Sequence, residues 1–300
     1  MSVQFRVALL VALFALGFIA RRVGWLKPPH AGFMLRLVIT VGLPALFIAD
    51  VSRIQLRADL FALPASSLVI MLATWGLSLL LGRALGASRT DQGTVTIAGM
   101  SINNGFLFPF VIAVWGAVGF GQLALFDFGH VLGQSFLVYA IAATYGGHAA
   151  GFGAIVRRVL AFPPLWALIV ALIINVSGVE LPGWASTPLR MIGQWILLLV
   201  IVALGVLFDV QLLRDRRVPA IILLRMLAGL LLGWLCTLAF GLSGLTRSVV
   251  LLGAAAPIGF NAVVLSHVEK LNRDLAASAA SISVVIGLVY VPLALWLLPH

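Results

Sequence analysis

Ten apolar segments follow one another along the chain, each roughly 17–25 residues long, the length that crosses a bilayer core as a helix. Their approximate limits are 3–20, 31–49, 60–82, 93–115, 121–145, 159–178, 187–208, 218–240, 247–267 and 275–298. Clusters of charge, Pro and Gly separate them. The segments are apolar all round, which argues helices; barrel strands would give short alternating runs. Only 9% of residues are charged, whereas a soluble domain carries about 25%. That leaves too little polar surface to coat a globule, so the sequence reads as an all-α integral membrane protein in contact with the lipid bilayer.

The net charge of +10 does not point to nucleic acid, because the basic residues lie between apolar segments and form no continuous patch. They read as topology signals. With the N-terminus outside, twelve Lys and Arg fall in inner loops, and five (Arg6, Arg53, Arg57, Arg190 and Arg247) fall outside. Arg36 and Arg225 fall inside segments near their inner ends, where they can snorkel. Ten spans then put both termini outside. Arg21 and Arg22 follow the first apolar run rather than precede it, so that run reads as a membrane helix, not a signal peptide. Cys236 lies inside an apolar segment as a packing residue.

The chain repeats itself. Leu26-Lys27-Pro28, an apolar stretch, Gly42-Leu43, Asp50 and Arg53 correspond to Leu181-Pro182-Gly183, an apolar stretch, Gly205-Val206, Asp209 and Arg214. Pro64 and Pro219 open matching segments. Each half has five spans, and an odd number makes the repeats inverted. The expected organisation is a first repeat over 1–147, a short basic cytoplasmic linker over 148–158 and a second repeat over 159–300.

Two segments are broken near their middles, one at Ser101-Ile102-Asn103-Asn104-Gly105-Phe106-Leu107-Phe108-Pro109, the other at Ala255-Ala256-Pro257-Ile258-Gly259-Phe260-Asn261. Such breaks free backbone groups that lipid cannot satisfy, and paired breaks point to a transporter's substrate site. Half-helix N-termini expose N–H groups and partial positive charge, which favours an anion. Asn103, Asn104 and Asn261 are three of the five asparagines in the chain and can hydrogen-bond there. Gly105, Pro109, Pro257 and Gly259 shape the breaks. The bland alternative is that the prolines only kink packed helices.

Asp127 and His130 share a helix face at i, i+3, with Gln134 one turn on; they are candidate coupling or gating residues, or a simple pair near the interface. The glycines of Gly129 to Gly133 and Gly229 to Gly233 suit close helix packing. Gly241-Leu242-Ser243-Gly244 resembles an intramembrane serine protease motif, but His267 would lie about 36 Å away along a helix, beyond hydrogen-bond reach. No metal-ligand cluster or phosphate-binding loop is evident, so neither an enzyme nor a cofactor is expected. A sodium-coupled symporter is the alternative, with ligands drawn from Thr96, Ser101, Asn103, Asn104 and Asn261. A membrane-embedded enzyme or receptor is the alternative of a different class. Asn272 falls in an inner loop.

The chain resembles bacterial members of the auxin efflux carrier family, within the bile acid, arsenite and riboflavin transporter superfamily. The resemblance rests on Asn103-Asn104-Gly105-Phe106-Leu107, Leu125-Phe126-Asp127, the run from Pro163 to Ile169, Asn261-Ala262-Val263-Val264-Leu265 and Leu275-Ala276-Ala277-Ser278. It implies ten helices in two inverted five-helix repeats, in a bacterial inner membrane. Segments 1, 2, 6 and 7 would form a scaffold, which could also carry a homodimer contact. Segments 3–5 and 8–10 would form a transport domain. Helices 4 and 9 would cross at their breaks, beside a small organic anion such as an auxin-like carboxylate or a dicarboxylate. The implied activity is secondary transport by elevator-like or rocking movement.

Overall fold

The computed structural model describes residues 2–147, 151–208 and 215–299. Residues 148–150 of the expected linker, and Asp209 and Arg214 of the expected repeat, lie outside the described residues. Among the described residues the chain is helical apart from short extended pieces, and it divides into two compact units interleaved in sequence.

The first unit comprises residues 1–57, 105–124 and 162–208. Its helices are α1 (Val3–Arg22), α2 (Pro28–Leu37), α3 (Leu43–Asp50), α9 (Pro163–Val176) and α10 (Gly183–Leu207). Helix α10 packs on α1, α2 and α3. The α1–α10 approach is close because of glycine. A Cβ on Gly17 would strike the Val202 carbonyl, and one on Gly205 the Phe14 carbonyl. The unit's polar joints are specific. Arg190 pairs with the buried Asp50 at 2.6 Å. Asn175 donates to the carbonyls of Val51 and Ile54 at 3.0 and 2.7 Å. Phe108 and Phe120 stack against each other and against Phe47, with centroids 5.1–6.2 Å apart.

The second unit comprises residues 58–104, 125–161 and 209–300. It holds α4 (Ala62–Ala84), α5 (Arg89–Met100), α7 (Tyr139–Gly146), α8 (Phe152–Leu160), α11 (Val218–Ile222), α12 (Gly229–Ala239), α13 (Gly244–Ala254), α14 (Asn261–Val268) and α15 (Arg273–Leu297). From Phe152 onward the expected linker is helical, as α8. The core gathers Met71, Val95, Ile97, Met100, Ile221, Ile258, Leu265 and Leu275 from helices of this unit and the segment before α14. Helix α6 (Asn104–Gly133) runs through both sequence blocks and is interrupted at Gly116, whose φ of 65° and ψ of −156° leave the helical region. Glycine tolerates that left-handed φ without a Cβ penalty.

Among the described residues three helical runs contain a π-helical turn: Val38–Gly42, Gln134–Val138 and Leu223–Ala228. Such turns hold an extra residue and often mark functional positions.

The expectation of ten membrane helices in two inverted five-helix repeats is corrected by the helix lengths. Among the described residues seven helical runs are long and apolar enough to span a membrane: Gln4–Arg22, Pro28–Arg53, Ala58–Ala84, Asn104–Gly146, Gly183–Leu207, Val218–Ala239 and Arg273–Leu297. The breaks are the physical reason. The fourth apolar segment ends its first helix at Met100, and the helical run that begins at Asn104 extends through the fifth segment to Gly146, 43 residues interrupted only by the turn at Gly116. The ninth is cut into helices of 11 and 8 residues, α13 and α14. The sixth yields only the 14 residues of α9, which starts at Pro163-Pro164. The placement of both termini outside, which drew on the basic residues and on the count of ten spans, stays a reading of the sequence. The exposed apolar side chains of the long helices, among them Leu16, Leu72, Trp195 and Val289, are the surface that a bilayer covers. Trp184 and Trp296 at helix ends, and Trp25 in the connection from α1 to α2, are each more than three-quarters exposed, where interfacial aromatics belong.

Candidate functional site

Within the second unit the two breaks come together. Helix α5 stops at Met100 and α13 at Ala254, and the chain after each is extended before α6 and α14 begin. The extended pieces pair antiparallel through Ile102 and Ile258. The Asn103 N–H donates to the Pro257 carbonyl at 2.9 Å, and the Gly259 N–H donates to the Ser101 carbonyl at 3.0 Å. Gly259 is required here, because a Cβ would come within 2.8 Å of the Ile102 carbonyl.

Two more freed backbone donors are met by side chains. Ser283 accepts from the Ile258 N–H at 2.9 Å, and His130 Nε2 accepts from the Ile102 N–H at 3.4 Å. His130 therefore presents an unprotonated Nε2 to the crossing. Gln134, in its π turn, accepts from the Ser101 hydroxyl at 2.9 Å. Satisfying these groups internally is what makes an extended stretch tolerable at membrane depth.

Asp127 does not form a hydrogen bond or ion pair with His130. Its carboxylate accepts from the Asn104 side-chain amide at 2.7 Å. Asn104 is 2% exposed, and its Oδ1 has no partner. Asn103 is half-buried and Asn261, the first residue of α14, is exposed. Gly105 and Pro109 follow Asn104 on α6 and are grouped with the first unit. Proline has no N–H, so Pro109 cannot bond the Gly105 carbonyl one turn back. The structure thus brings Asn103, Asn104, Pro257, Gly259, Asp127, His130 and Gln134 to one crossing, with Asn261 opening the helix that leaves it.

Arg225 is the residue that sequence reasoning misplaced. It was expected to snorkel to the inner surface, yet it is fully buried. Nη1 donates to the Gly99 carbonyl at 3.3 Å, and Nη2 donates to the Ala254 carbonyl. These carbonyls lie in the last turns of α5 and α13. Position along an apolar segment gives depth only; the sign that Arg225 could turn inward is the small Gly229 one turn on, where a Cβ would strike both its guanidinium and the Ala254 carbonyl.

At the other end of α5, Asp91 accepts from Asn272 at 2.6 Å and Ser88 at 2.8 Å, and Arg217 pairs with it at 2.6 Å. Arg217 also pairs with Asp215 at 2.6 Å. Burial pushes the Asp91 carboxyl up, but hydrogen bonds from Asn272, Arg217 and Ser88 outweigh it and hold it below the ordinary value of 3.8. Asn272 also caps α15 by accepting from the Leu275 N–H at 3.0 Å. It is a structural joint, not the idle loop residue its position indicated.

Comparison with known proteins agrees with this membrane architecture. Residues 152–297 match the family described as membrane transport protein. Over 94% of both chains the sequence is 28% identical to an uncharacterized transporter of Methanothermobacter thermautotrophicus. Over 97% of both it is 23% identical to an uncharacterized transporter of Methanocaldococcus jannaschii. Both relatives are archaeal, whereas the resemblance seen in the sequence was to bacterial members. The chain is a multi-pass membrane protein whose second half is similar to the family described as membrane transport protein.

Proposed function

We propose that the protein is a secondary carrier of a small organic anion, a mono- or dicarboxylate, bound beside the crossing in the second unit. The observation that carries this reading is the antiparallel pairing of the two breaks, which puts the N-termini of α6 and α14 at one place, with Asn103, Asn104 and Asn261. Gly105, Pro109, Pro257 and Gly259 hold the breaks open. The second unit carries the substrate by moving against the first, in an elevator-like or rocking cycle. Asp127, His130 and Gln134 bond to the crossing and couple or gate that movement. A solute or ion gradient, or the membrane potential, supplies the driving force, since the sequence has no nucleotide-binding motif.

The test is a thermal-shift screen of mono- and dicarboxylates on purified protein, followed by flux of the hits in proteoliposomes with and without sodium and proton gradients. A carboxylate at a hundredfold excess over its Kd stabilises by about 2.7 kcal/mol. Shifts from neutral or cationic solutes alone would overturn the anion assignment.

A further inference from the structure

Four helix ends meet at the crossing: the C-termini of α5 and α13, and the N-termini of α6 and α14. Each N-terminus carries roughly half a positive charge and each C-terminus roughly half a negative one. The four contributions cancel, so the helix ends by themselves give an anion no net attraction. Asp127, bonded to Asn104, works against an anion when ionised.

Arg225 changes that sum. Its guanidinium spans both negative ends, donating to the Gly99 carbonyl on α5 and the Ala254 carbonyl on α13. It is 0% exposed, and among the described residues no carboxylate pairs with it. Its Nε has no acceptor. A buried charge without a counter-charge is costly. Tying two carbonyls together requires N–H donors only, which an uncharged amide side chain also has.

We infer that Arg225 sets the charge selectivity of the crossing: by neutralising the C-termini of α5 and α13 it leaves the positive end at Asn261 uncompensated, Asp127 opposing only the end at Asn104, so a carboxylate is preferred over a neutral molecule of the same shape. This rests on the anion reading above and adds the residue that produces the preference. Arg225 acts through the field at the helix ends and is a positioning residue; it need not touch the substrate.

The test separates charge from hydrogen bonding. Arg225→Gln keeps donors and removes the charge; Arg225→Lys keeps both. Wild type and variants are titrated with two matched pairs, succinate against succinamide and phenylacetate against phenylacetamide, by thermal shift and by proteoliposome flux. Wild type and Arg225→Lys are expected to prefer the acid of at least one pair. Arg225→Gln is expected to lose roughly tenfold of that preference, the scale of one unit charge about 10 Å away at an effective dielectric of about 20. A merely structural tie would leave the acid-to-amide ratio of Arg225→Gln unchanged, and that result overturns the inference while leaving the anion reading intact. If Arg225→Gln does not fold, Arg225→Met, also uncharged, decides: a lost acid preference supports the inference, and an unchanged one overturns it. A wild type that prefers neither acid overturns both readings.

Discussion

The side-chain amide of Asn104 lies 2.7 Å from the Asp127 carboxylate, although the two residues are 23 positions apart on α6. A straight helix would hold them about 35 Å apart. The contact therefore requires the chain to fold back, and Gly116 is where it leaves helical geometry. Removing the donor strands a carboxylate, and a hydrogen bond to a charged group contributes about 1.5–3 kcal/mol. Asn104→Ala is expected to lower the melting temperature, and Asp127→Leu in the same chain to recover part of the loss. Additive losses in this double-mutant cycle would show that the two residues are not coupled.

The asparagines divide by role. Asn103→Ala and Asn261→Ala are expected to weaken carboxylate binding by roughly tenfold to over a hundredfold with little change in melting temperature. Asn175→Ala is the contrasting case. It frees the Val51 and Ile54 carbonyls in the first unit and is expected to lower stability while leaving affinity unchanged. Asn272 is unsuitable as a neutral control because it caps α15 and holds Asp91. Melting curves and titrations on the same preparations distinguish the two effects; intact affinity in both Asn103→Ala and Asn261→Ala removes those side chains from the site.

The α1–α10 contact offers a prediction independent of function. Gly17→Val and Gly205→Val each push a side chain into a facing backbone carbonyl, which has no rotamer with which to yield. Each is expected to destabilise by about 1–3 kcal/mol, the usual cost of overpacking. Gly32→Ala, where nothing lies within 4 Å of the added carbon, is expected to be tolerated. Equal melting temperatures for all three variants would contradict the close approach.

The junction at the start of α5 predicts an acid response. Asp91 and Asp215 are both held below 3.8, so their contribution to stability is fully present above about pH 3.8 and is lost as pH falls through their lowered values. Asp91→Asn removes one of these carboxylates. Its melting temperature is expected to lie below wild type near neutral pH and to converge on it in acid. A gap that stays constant down to about pH 2 would rule out this linkage.

The positions of the breaks were legible because Pro, Gly and Asn interrupt otherwise uniform apolar runs, at Asn103-Asn104-Gly105 and Pro257-Ile258-Gly259. That the breaks pair could be anticipated from their matching placement. The number of spanning helices could not, because hydropathy measures how apolar a stretch is and is blind to where its hydrogen bonds stop. Ser101–Asn103 ends a helix without becoming polar enough to read as a loop, and Gly116 turns the chain with no polar residue beside it. The partner of Asp127 was missed for a related reason: i, i+3 spacing puts His130 on its face, but the nearer donor comes from the far end of the folded-back helix. Arg225 was misread because one-dimensional position gives depth but not direction.

The π turns carry a consequence of another kind. Gln134 opens one and Arg225 lies within another, and both side chains reach the crossing from there. A π turn differs from an α turn by one residue, which it absorbs locally, so removing that residue would close the turn to α geometry and re-aim the side chains within it. Deleting a single exposed apolar neighbour such as Leu227 would erase the turn that aims Arg225, although every side chain at the crossing survived. The geometry of the crossing is thus written partly in the spelling of the chain and partly in its length. Homologous chains that keep the same letters but drop one place in these turns would be different machines.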